Sequence, residues 1–430
     1  MKKYDNYKDS GLEWLGMVPE HWKIDKLKYQ FGLVTTPSES SNKIGLENIE
    51  SATGRFIKTD SDFEGNGIAF LPNDIVYGKL RPYLQKVWLA EFSGSAVGDF
   101  YVFRCNKGTY PVYVKYLLLS HNFTVEADGF TYGAKMPRVS YEFVANLKWA
   151  MPPLIEQRAI ASYLDHKVGK IDALISEKEK MVEDLKAYRS SLITETVTKG
   201  LDKGVEMKDS GVEWIGKIPS DWTISKFKYI CKINGRIGFR GYTTDDLVSE
   251  GNGAFTIGGK HISKNLLDLS SPEYISWEKY YESPEIMVKK GDIISAQRGT
   301  LGRTAYIDKE IGPATINPSL VLINDIIEDA KFLYWFMVSN SFLSMIEFVN
   351  TATAVPMISQ TQFGNTRIPL PPISEQHIIV EYLEKEISKI DTSISELEHQ
   401  LSDLKSYKSS LITEAVTGKI DLRDWQTKKS

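Results

Sequence analysis

Nine residues near the start of the chain, Lys8-Asp9-Ser10-Gly11-Leu12-Glu13-Trp14-Leu15-Gly16, return 200 positions later as Lys208-Asp209-Ser210-Gly211-Val212-Glu213-Trp214-Ile215-Gly216. The match runs on through Pro19/Pro219, Trp22/Trp222 and Lys26-Leu27-Lys28-Tyr29 against Lys226-Phe227-Lys228-Tyr229. Further along, Pro152-Pro153-Leu154-Ile155-Glu156-Gln157 pairs with Pro371-Pro372-Ile373-Ser374-Glu375-Gln376, and Ser190-Ser191-Leu192-Ile193-Thr194-Glu195 with Ser409-Ser410-Leu411-Ile412-Thr413-Glu414, at an offset of 219. A chain that writes itself twice folds as related units. Each half opens on a fixed block, passes through a diverged body and closes on a fixed helical block. The 19-residue gain between the two offsets falls inside the second body, where only fragments such as Asp74-Ile75-Val76 against Asp292-Ile293-Ile294 still align.

The two closes carry apolar residues at coiled-coil spacing. The reading places Ile171, Leu174, Lys178, Met181, Leu185, Tyr188 and Leu192 on one seam, and Ile390, Ser393, Leu397, Gln400, Leu404, Tyr407 and Leu411 on the other. Polar gaps in one run face apolar residues in the other, which favours mutual antiparallel pairing over two helices packed on separate cores. The double prolines suit a linker before each helix, and Glu156 and Glu375 put an acid in each first turn. A helix of about 30 residues is about 45 Å long, more than one duplex turn of about 34–36 Å. The first close exits through Val197-Thr198-Lys199-Gly200-Leu201-Asp202 into the second opening, and the second through Val416-Thr417-Gly418-Lys419-Ile420-Asp421. Joining the end to the start would regenerate that junction, so the termini are expected to lie close together.

Between the fixed blocks, short runs rich in β-branched and aromatic residues read as strands. They include Asp74-Ile75-Val76-Tyr77, Phe100-Tyr101-Val102-Phe103, Asp292-Ile293-Ile294-Ser295 and Ser319-Leu320-Val321-Leu322-Ile323, with helices near 112–119 and 330–348. Basic and aromatic residues gather in turns. One body has Gly78 to Lys86 and Tyr132 to Arg138; the other has Gln297 to Arg303 and Thr351 to Met357. Arg and Gln can read guanine and adenine edges, while Lys, Thr and Tyr hold phosphates. Any one such turn is an ordinary solvated loop. Their recurrence at matching places in the repeat makes the functional reading a serious competitor.

Composition bounds the alternatives. Net charge is −4, which does not by itself suggest a nucleic-acid binder. Counted by region, residues 1–150 hold 18 Lys/Arg against 17 Asp/Glu and residues 208–370 hold 17 against 18, so the helical closes carry most of the deficit. Two distant cysteines, Cys105 and Cys231, argue against a disulfide framework or a cysteine zinc site. No signal sequence or membrane-spanning run is evident, and a cytoplasmic location is expected. Catalytic motifs are wanting. Met151-Pro152-Pro153-Leu154 and its repeat lack the leading Asp or Asn of an amino-methyltransferase motif. Gly258-Gly259-Lys260-His261 lacks the glycine and hydroxyl of a P-loop, and the six histidines form no zinc pattern. Asp184-Leu185-Lys186 and Asp403-Leu404-Lys405 have nuclease-like spacing but belong on a helix surface.

The blocks Ser-Gly-x-Glu-Trp-φ-Gly-x-φ-Pro-x-x-Trp (Ser10–Trp22, Ser210–Trp222; φ apolar), Pro-Pro-φ-x-Glu-Gln, Ile-Asp (171–172, 390–391) and Tyr-(Arg/Lys)-Ser-Ser-Leu-Ile-Thr-Glu (Tyr188–Glu195, Tyr407–Glu414) cover nearly the whole chain. Together they resemble the specificity subunits of type I restriction–modification enzymes. The resemblance implies an α+β fold: two mixed α/β target recognition domains joined by two long helices that the family conserves, paired as an antiparallel coiled coil in a pseudo-two-fold circular arrangement. The corresponding boundaries are 1–150 and 206–370 for the recognition domains, 151–205 and 371–430 for the helical regions. It implies a non-catalytic subunit that reads a bipartite, asymmetric site in double-stranded DNA, one domain per half. The helices dock two methyltransferase subunits, which bind S-adenosylmethionine and methylate adenine. Restriction/translocase subunits using ATP and Mg complete the enzyme, and this chain itself carries no cofactor or metal. The DNA-binding candidates are Lys79, Arg81, Tyr83, Lys86, Lys135 and Arg138 in the first domain. In the second they are Arg236, Arg240, Gln297, Arg298, Arg303 and Met357. A self-sufficient DNA enzyme, a scaffold that never touches DNA, and the recognition subunit of a restriction class cutting on both sides of its site are the competing readings.

Overall fold

A computed structural model describes residues 2–60, 63–236, 238, 241–350 and 356–425. The chain forms two compact units: residues 1–180 with 398–430, and residues 181–397. Both boundaries fall inside long helices, Leu154–Lys199 and Ile373–Val416.

In the first unit an antiparallel sheet orders Phe31–Val34, Phe100–Cys105, Ile75–Gly78 and Val87–Leu89. A second sheet orders Pro37–Ser38, Gly67–Phe70, Gly94–Ala96 and Lys43–Ile44, the last pair parallel. Side chains alternate between the faces of a strand. Val76, Trp88 and Val102 from the first sheet thus meet Ile44, Phe70 and Ala96 from the second, all buried. The opposite face of the first sheet carries Tyr77, which packs edge-on against Phe123 of the helix His121–Gly129.

The second unit repeats the antiparallel sheet with Lys232–Gly235, Leu320–Asn324, Ile293–Ala296 and Thr304–Tyr306. Its other sheet orders Leu247–Val248, Tyr274–Ser276, Gly253–Ile257 and Ala314–Ile316, again with one parallel pair. The two sheets differ in one pairing. Tyr274–Ser276 joins the earlier member of the parallel pair, Gly253–Ile257, whereas Gly67–Phe70 joins the later one, Gly94–Ala96. The repeat offset has grown to 213 at Ile44/Ile257 and to 218 at Asp74/Asp292. Most of the extra residues therefore lie between the first strand of the body and this sheet.

Equivalent turns survive the divergence. Asn48 Oδ1 accepts from Gly45 N at 2.9 Å, and His261 Nδ1 accepts from Gly258 N at 2.8 Å. His261 Nε2 lies 3.0 Å from the Ser271 carbonyl, so the buried ring donates there and uses both nitrogens. Asp74 and Asp292 each cap the turn before the central strand, taking Leu71 N at 2.8 Å and Lys289 N at 2.7 Å. Asp74 also holds Arg104 in a two-point pair at 2.8 and 2.6 Å. Strand register puts Asn324 at the Arg104 place in the second unit, and without a guanidinium burial pushes the Asp292 carboxyl up to about 6. An acid whose folded pKa exceeds its unfolded value, about 3.9, weakens the fold as pH rises from about 4 to 6. Asp292→Asn is therefore expected to stabilise the second unit by about 1–2 kcal/mol at pH 7.5. The gain should vanish at pH 4, as thermal melts at the two pH values would show.

The helices pair in both units, antiparallel in each. Asp172 meets Lys408 at 2.8 Å and Glu179 meets Lys405 at 2.9 Å in the first; Arg189 meets Asp391 at 2.8 Å in the second. The aspartates are those of the two Ile-Asp blocks, and the cations those of the two Tyr-(Arg/Lys)-Ser-Ser blocks. Two recurring motifs thus prove to be opposite ends of the same ion pair.

The buried seam corrects the sequence reading by one residue at every second position. Ile171, Lys178, Leu185 and Leu192 lie on it, as do Ile390, Leu397, Leu404 and Leu411, all buried or half-buried. Leu174, Met181, Tyr188, Ser393, Gln400 and Tyr407 face outward, and Ile175, Val182, Arg189, Ile394, Leu401 and Lys408 take their places. The steps run four then three, not three then four. The Asp172–Lys408 pair is nearly enclosed, with the two side chains 13% and 8% exposed, and Arg55 adds a second cation to Asp172 at 3.1 Å. Removing one partner of such a pair strands a charge. Lys408→Met is expected to cost about 2–4 kcal/mol in urea unfolding. Arg189→Met, at a pair left half open, is expected to cost under about 1 kcal/mol.

The termini of the first unit meet. Asp421 N donates to the Lys2 carbonyl at 2.9 Å, Lys2 Nζ pairs with Asp424 at 2.8 Å, and Lys419 Nζ donates to the Leu15 carbonyl at 3.2 Å. Gly418 closes its helix at φ 73° against Trp22 and Pro19; Gly200 closes the other at φ 74° against Trp222. A Cβ would come 3.2 Å from the tryptophan ring in both cases, so glycine is required by conformation and by space.

Among the described residues no single helix is long and apolar enough to cross a membrane. The bent pair Ala330–Met337 and Asn340–Val349 passes that test jointly, but Phe332, Leu333, Phe336, Phe342 and Ile346 are buried within the second unit.

Candidate nucleic-acid interface

In the first unit the strand Ile75–Gly78 runs into the turn bearing Lys79, Arg81 and Tyr83. Arg81 and Gln85 sit in the left-handed region, at φ 51° and 49°, flanking the short turn Pro82–Leu84. A second turn, between Thr131–Tyr132 and Arg138–Val139, lies alongside. Arg81 N donates to the Pro137 carbonyl at 2.8 Å, Val139 N donates to the Lys79 carbonyl at 3.1 Å, and Leu80 bridges Arg138. The backbone thus laces together two loops that are about fifty residues apart in sequence.

The second unit repeats the arrangement. Gly299 N donates to the Pro356 carbonyl at 3.0 Å, Ile358 N donates to the Gln297 carbonyl at 3.0 Å, and Arg298 bridges Met357. A third turn joins here, where Asn265 Oδ1 accepts from Thr304 N at 3.3 Å and the Asn265 carbonyl accepts from Tyr334 Oη at 2.9 Å. Lys264 and Asn265, both at positive φ, form the tip of that hairpin. Sequence reading missed it, because Lys-Asn lacks the glycine that usually marks a two-residue hairpin turn.

The candidate residues divide by where their polar ends go. Arg81, Lys135, Arg298 and Arg303 are exposed and make no side-chain ion pair among the described residues. Tyr83 and Met357 are exposed beside them, with Tyr132 and Met136 adding to the first unit's surface. Arg138 is held on Asp99 by two bonds of 2.8 Å, with Lys79 Nζ 3.8 Å away and over the Tyr101 ring. Hydrogen bonding from Arg138 keeps the Asp99 carboxyl below the usual range. This cluster keeps an aspartate between two cations at the loop base.

Three assignments need correction. Lys86 Nζ donates to the carbonyls of Leu46 at 2.8 Å and Ile49 at 2.7 Å, and burial lowers its pKa. Gln297 Nε2 donates to the carbonyls of Pro318 at 3.0 Å and Leu320 at 3.1 Å, with the residue buried. Arg236 is buried, donating to the Ile316 carbonyl at 3.2 Å and Thr315 Oγ1 at 3.1 Å, and burial lowers its pKa. These side chains tie loops and strands to the body, because buried carbonyls need donors. Arg240 lies outside the described residues, as do residues 351–355 of the second loop.

The fixed opening and closing blocks frame the loops. Trp22 Nε1 donates to Glu156 Oε2 at 3.1 Å, and Trp222 Nε1 donates to Glu375 Oε2 at 3.0 Å. The adjacent glutamines bond across to the body: Gln157 Oε1 takes Tyr110 N at 2.8 Å and Gln376 Oε1 takes Asp329 N at 3.0 Å. Their amides donate to the Pro152 and Pro371 carbonyls, at 2.9 and 3.0 Å. Each Glu-Gln pair therefore fixes a body to the start of its helix.

Known proteins share this organisation. Residues 219–402 match the family described as type I restriction modification DNA specificity domain. A putative type I restriction enzyme MjaX specificity subunit from Methanocaldococcus jannaschii is 24% identical, covering 98% of each chain. The MjaVIII specificity subunit of the same organism is 26% identical over 68% of this chain and 67% of its own. Residues 219–402 thus resemble a type I restriction DNA specificity domain, and the relatives that align with the chain are specificity subunits. Solved structures share the fold of this chain. A chain from a type I R-M system, described in terms of complex assembly and conformational transition, matches with a TM-score of 0.72 at 19% identity, covering 94% of this chain and 99% of that one. The HsdS subunit from Thermoanaerobacter tengcongensis matches at 0.51 and 18% identity, covering 94% and 98%. Among the described residues, no cluster of three His, Cys, Asp or Glu is placed to hold a metal ion.

Proposed function

We propose that each unit reads one half of a bipartite site in double-stranded DNA through its laced pair of loops. As a specificity subunit the chain is the DNA-reading, non-catalytic member of a type I restriction–modification system. The observation that carries the two-half reading is the recurrence of the same loop lacing, at Leu80/Arg138 and Arg298/Met357, in bodies whose sequences have otherwise diverged. Exposed guanidiniums at Arg81, Arg298 and Arg303 can contact guanine edges two-pronged, and Lys135 supplies a phosphate contact. The paired helices present the docking surface for two methyltransferase subunits, which bring S-adenosylmethionine. Restriction/translocase subunits bring ATP and Mg.

The test is co-expression with the cognate methyltransferase subunit in an unmethylated host, followed by single-molecule mapping of modified adenine. A split motif with an unspecified gap is expected, and exchanging one body should change one half of that motif only. A continuous motif, or a body exchange that alters both halves, would overturn the one-unit, one-half assignment.

A further inference from the structure

The most conspicuous charge arrangement outside the loops lies in the fixed frame. Lys23–Lys26 pairs antiparallel with Lys148–Met151, and the register sets Lys26 directly opposite Lys148. In the second unit Thr223–Lys226 pairs with Arg367–Leu370, setting Lys226 directly opposite Arg367. Residues directly opposite in an antiparallel ladder share a face, and like charges there repel. Both units carry this unfavourable pair although nothing in a two-stranded ladder requires it. Lys148 and Arg367 are exposed, Lys26 and Lys226 half-buried, and none of the four makes an ion pair among the described residues. Lys26 Nζ donates to Asn146 Oδ1 at 3.2 Å, and Arg367 to the Gly211 carbonyl at 3.2 Å, both neutral acceptors. Two residues beyond each inner lysine stands another exposed cation, Lys28 or Lys228. Each leans over an exposed tyrosine, Tyr29 or Tyr229, at 5.4 and 5.3 Å.

The place of these patches relates them to the loops. Lys148 follows Arg138 by ten residues and Arg367 follows Met357 by ten. The link in each case is a six-residue helix, Tyr141–Asn146 or Gln360–Asn365, about 9 Å long. Loop and cation pair thus lie within roughly 20 Å, less than one turn of duplex at about 34–36 Å. That separation is short enough for a single duplex to span loop and cation pair of the same unit.

We infer that Lys26 with Lys148, and Lys226 with Arg367, form a phosphate clamp in each unit that holds the DNA backbone flanking the bases read by the loops. The inference rests on the loops reading DNA. Because the clamp belongs to the repeated frame and not to the diverged body, it contributes affinity without sequence preference. Two paired cations facing a phosphate exchange mutual repulsion for attraction, which explains why the pairs persist in both halves.

The test uses the assembled complex with its methyltransferase subunits and measures DNA affinity across a salt series. Lys148→Gln with Arg367→Gln should shrink the slope of log K against log salt by about 0.9 for each phosphate no longer neutralised, close to 2 in total. Cognate and unrelated duplexes should weaken alike, and the methylated motif should not change. Lys148→Arg, which keeps the charge, should leave the slope as it was. An unchanged slope overturns the clamp, and so does an altered motif, which would make these residues base readers. Weakened loading of the methyltransferase subunits with an unchanged slope would mark the patch as a protein-docking surface and equally overturn it. Absence of any cognate preference in the unmodified complex would instead sink the DNA-reading assignment, and is seen before any variant is made.

Discussion

Methylation of the cognate site should fall by about 100-fold or more when Arg298 and Arg303 are both replaced by alanine and the variant is assembled with its methyltransferase subunits. A good two-pronged contact to a base is worth roughly 1–3 kcal/mol of discrimination, so removing two together reaches that size. Both side chains are exposed beside the laced loops of the second unit and are tied to no acid among the described residues. Their removal should therefore spare the fold, with a melting temperature within a degree or two of the parent. The loss should be larger for cognate than for unrelated DNA. The matching change in the first unit, Arg81→Ala with Lys135→Ala, should affect the other half of the site. Equal loss on all duplexes would reduce these arginines to backbone binders.

The largest effect on stability is expected at Glu156. Its carboxylate accepts from Trp22 Nε1 at 3.1 Å, from Tyr4 Oη at 3.1 Å and from His21 Nε2 at 2.6 Å, and the residue is buried. A carboxylate only accepts, so each of these three groups donates. Glu156→Ala would leave the Trp22 and Tyr4 donors without partners and open a polar hole at the helix start, costing about 3–5 kcal/mol. Trp222 is the one side-chain donor to the Glu375 carboxylate among the described residues, so Glu375→Ala should cost about 1–2 kcal/mol. Denaturant titrations of the two variants would compare them directly. Similar losses at both positions would show that the Tyr4 and His21 bonds add nothing.

Much of the organisation was legible because the chain repeats. The fixed blocks announced two related bodies and two helices, and the matching turns marked loops that the structure brings together in each unit. Two kinds of information were hidden. On the helices, Leu174 and Ile175, or Met181 and Val182, are adjacent apolar residues competing for one seam, and spacing alone admits both choices. The true seam also carries Arg189 and Lys408, whose charge disguised them as surface residues until their aspartates were seen opposite. In the bodies, residue type did not reveal where a polar end would go. Lys86, Gln297 and Arg236 look like DNA-binding residues by composition, yet each satisfies backbone carbonyls left open by irregular chain. The role of Glu156 and Glu375 was half legible. Their place in the first turn was clear, but the tryptophans that bind them lie over 130 residues earlier.

The division of the chain between its units has a consequence for synthesis. The second unit is one continuous segment, 181–397, whereas the first needs residues 398–416 to complete its helix pair. A ribosome adding about 5–20 residues per second releases that closing segment roughly 10–50 s after the body it must join. Throughout that interval Ile171 and Ile175 wait without the facing helix, and Asp172 has Arg55 but not Lys408. The unit begun first is thus the last to be completed, while the half made later is the first able to finish. A stop codon late in the message would harm the earliest-made part of the protein most.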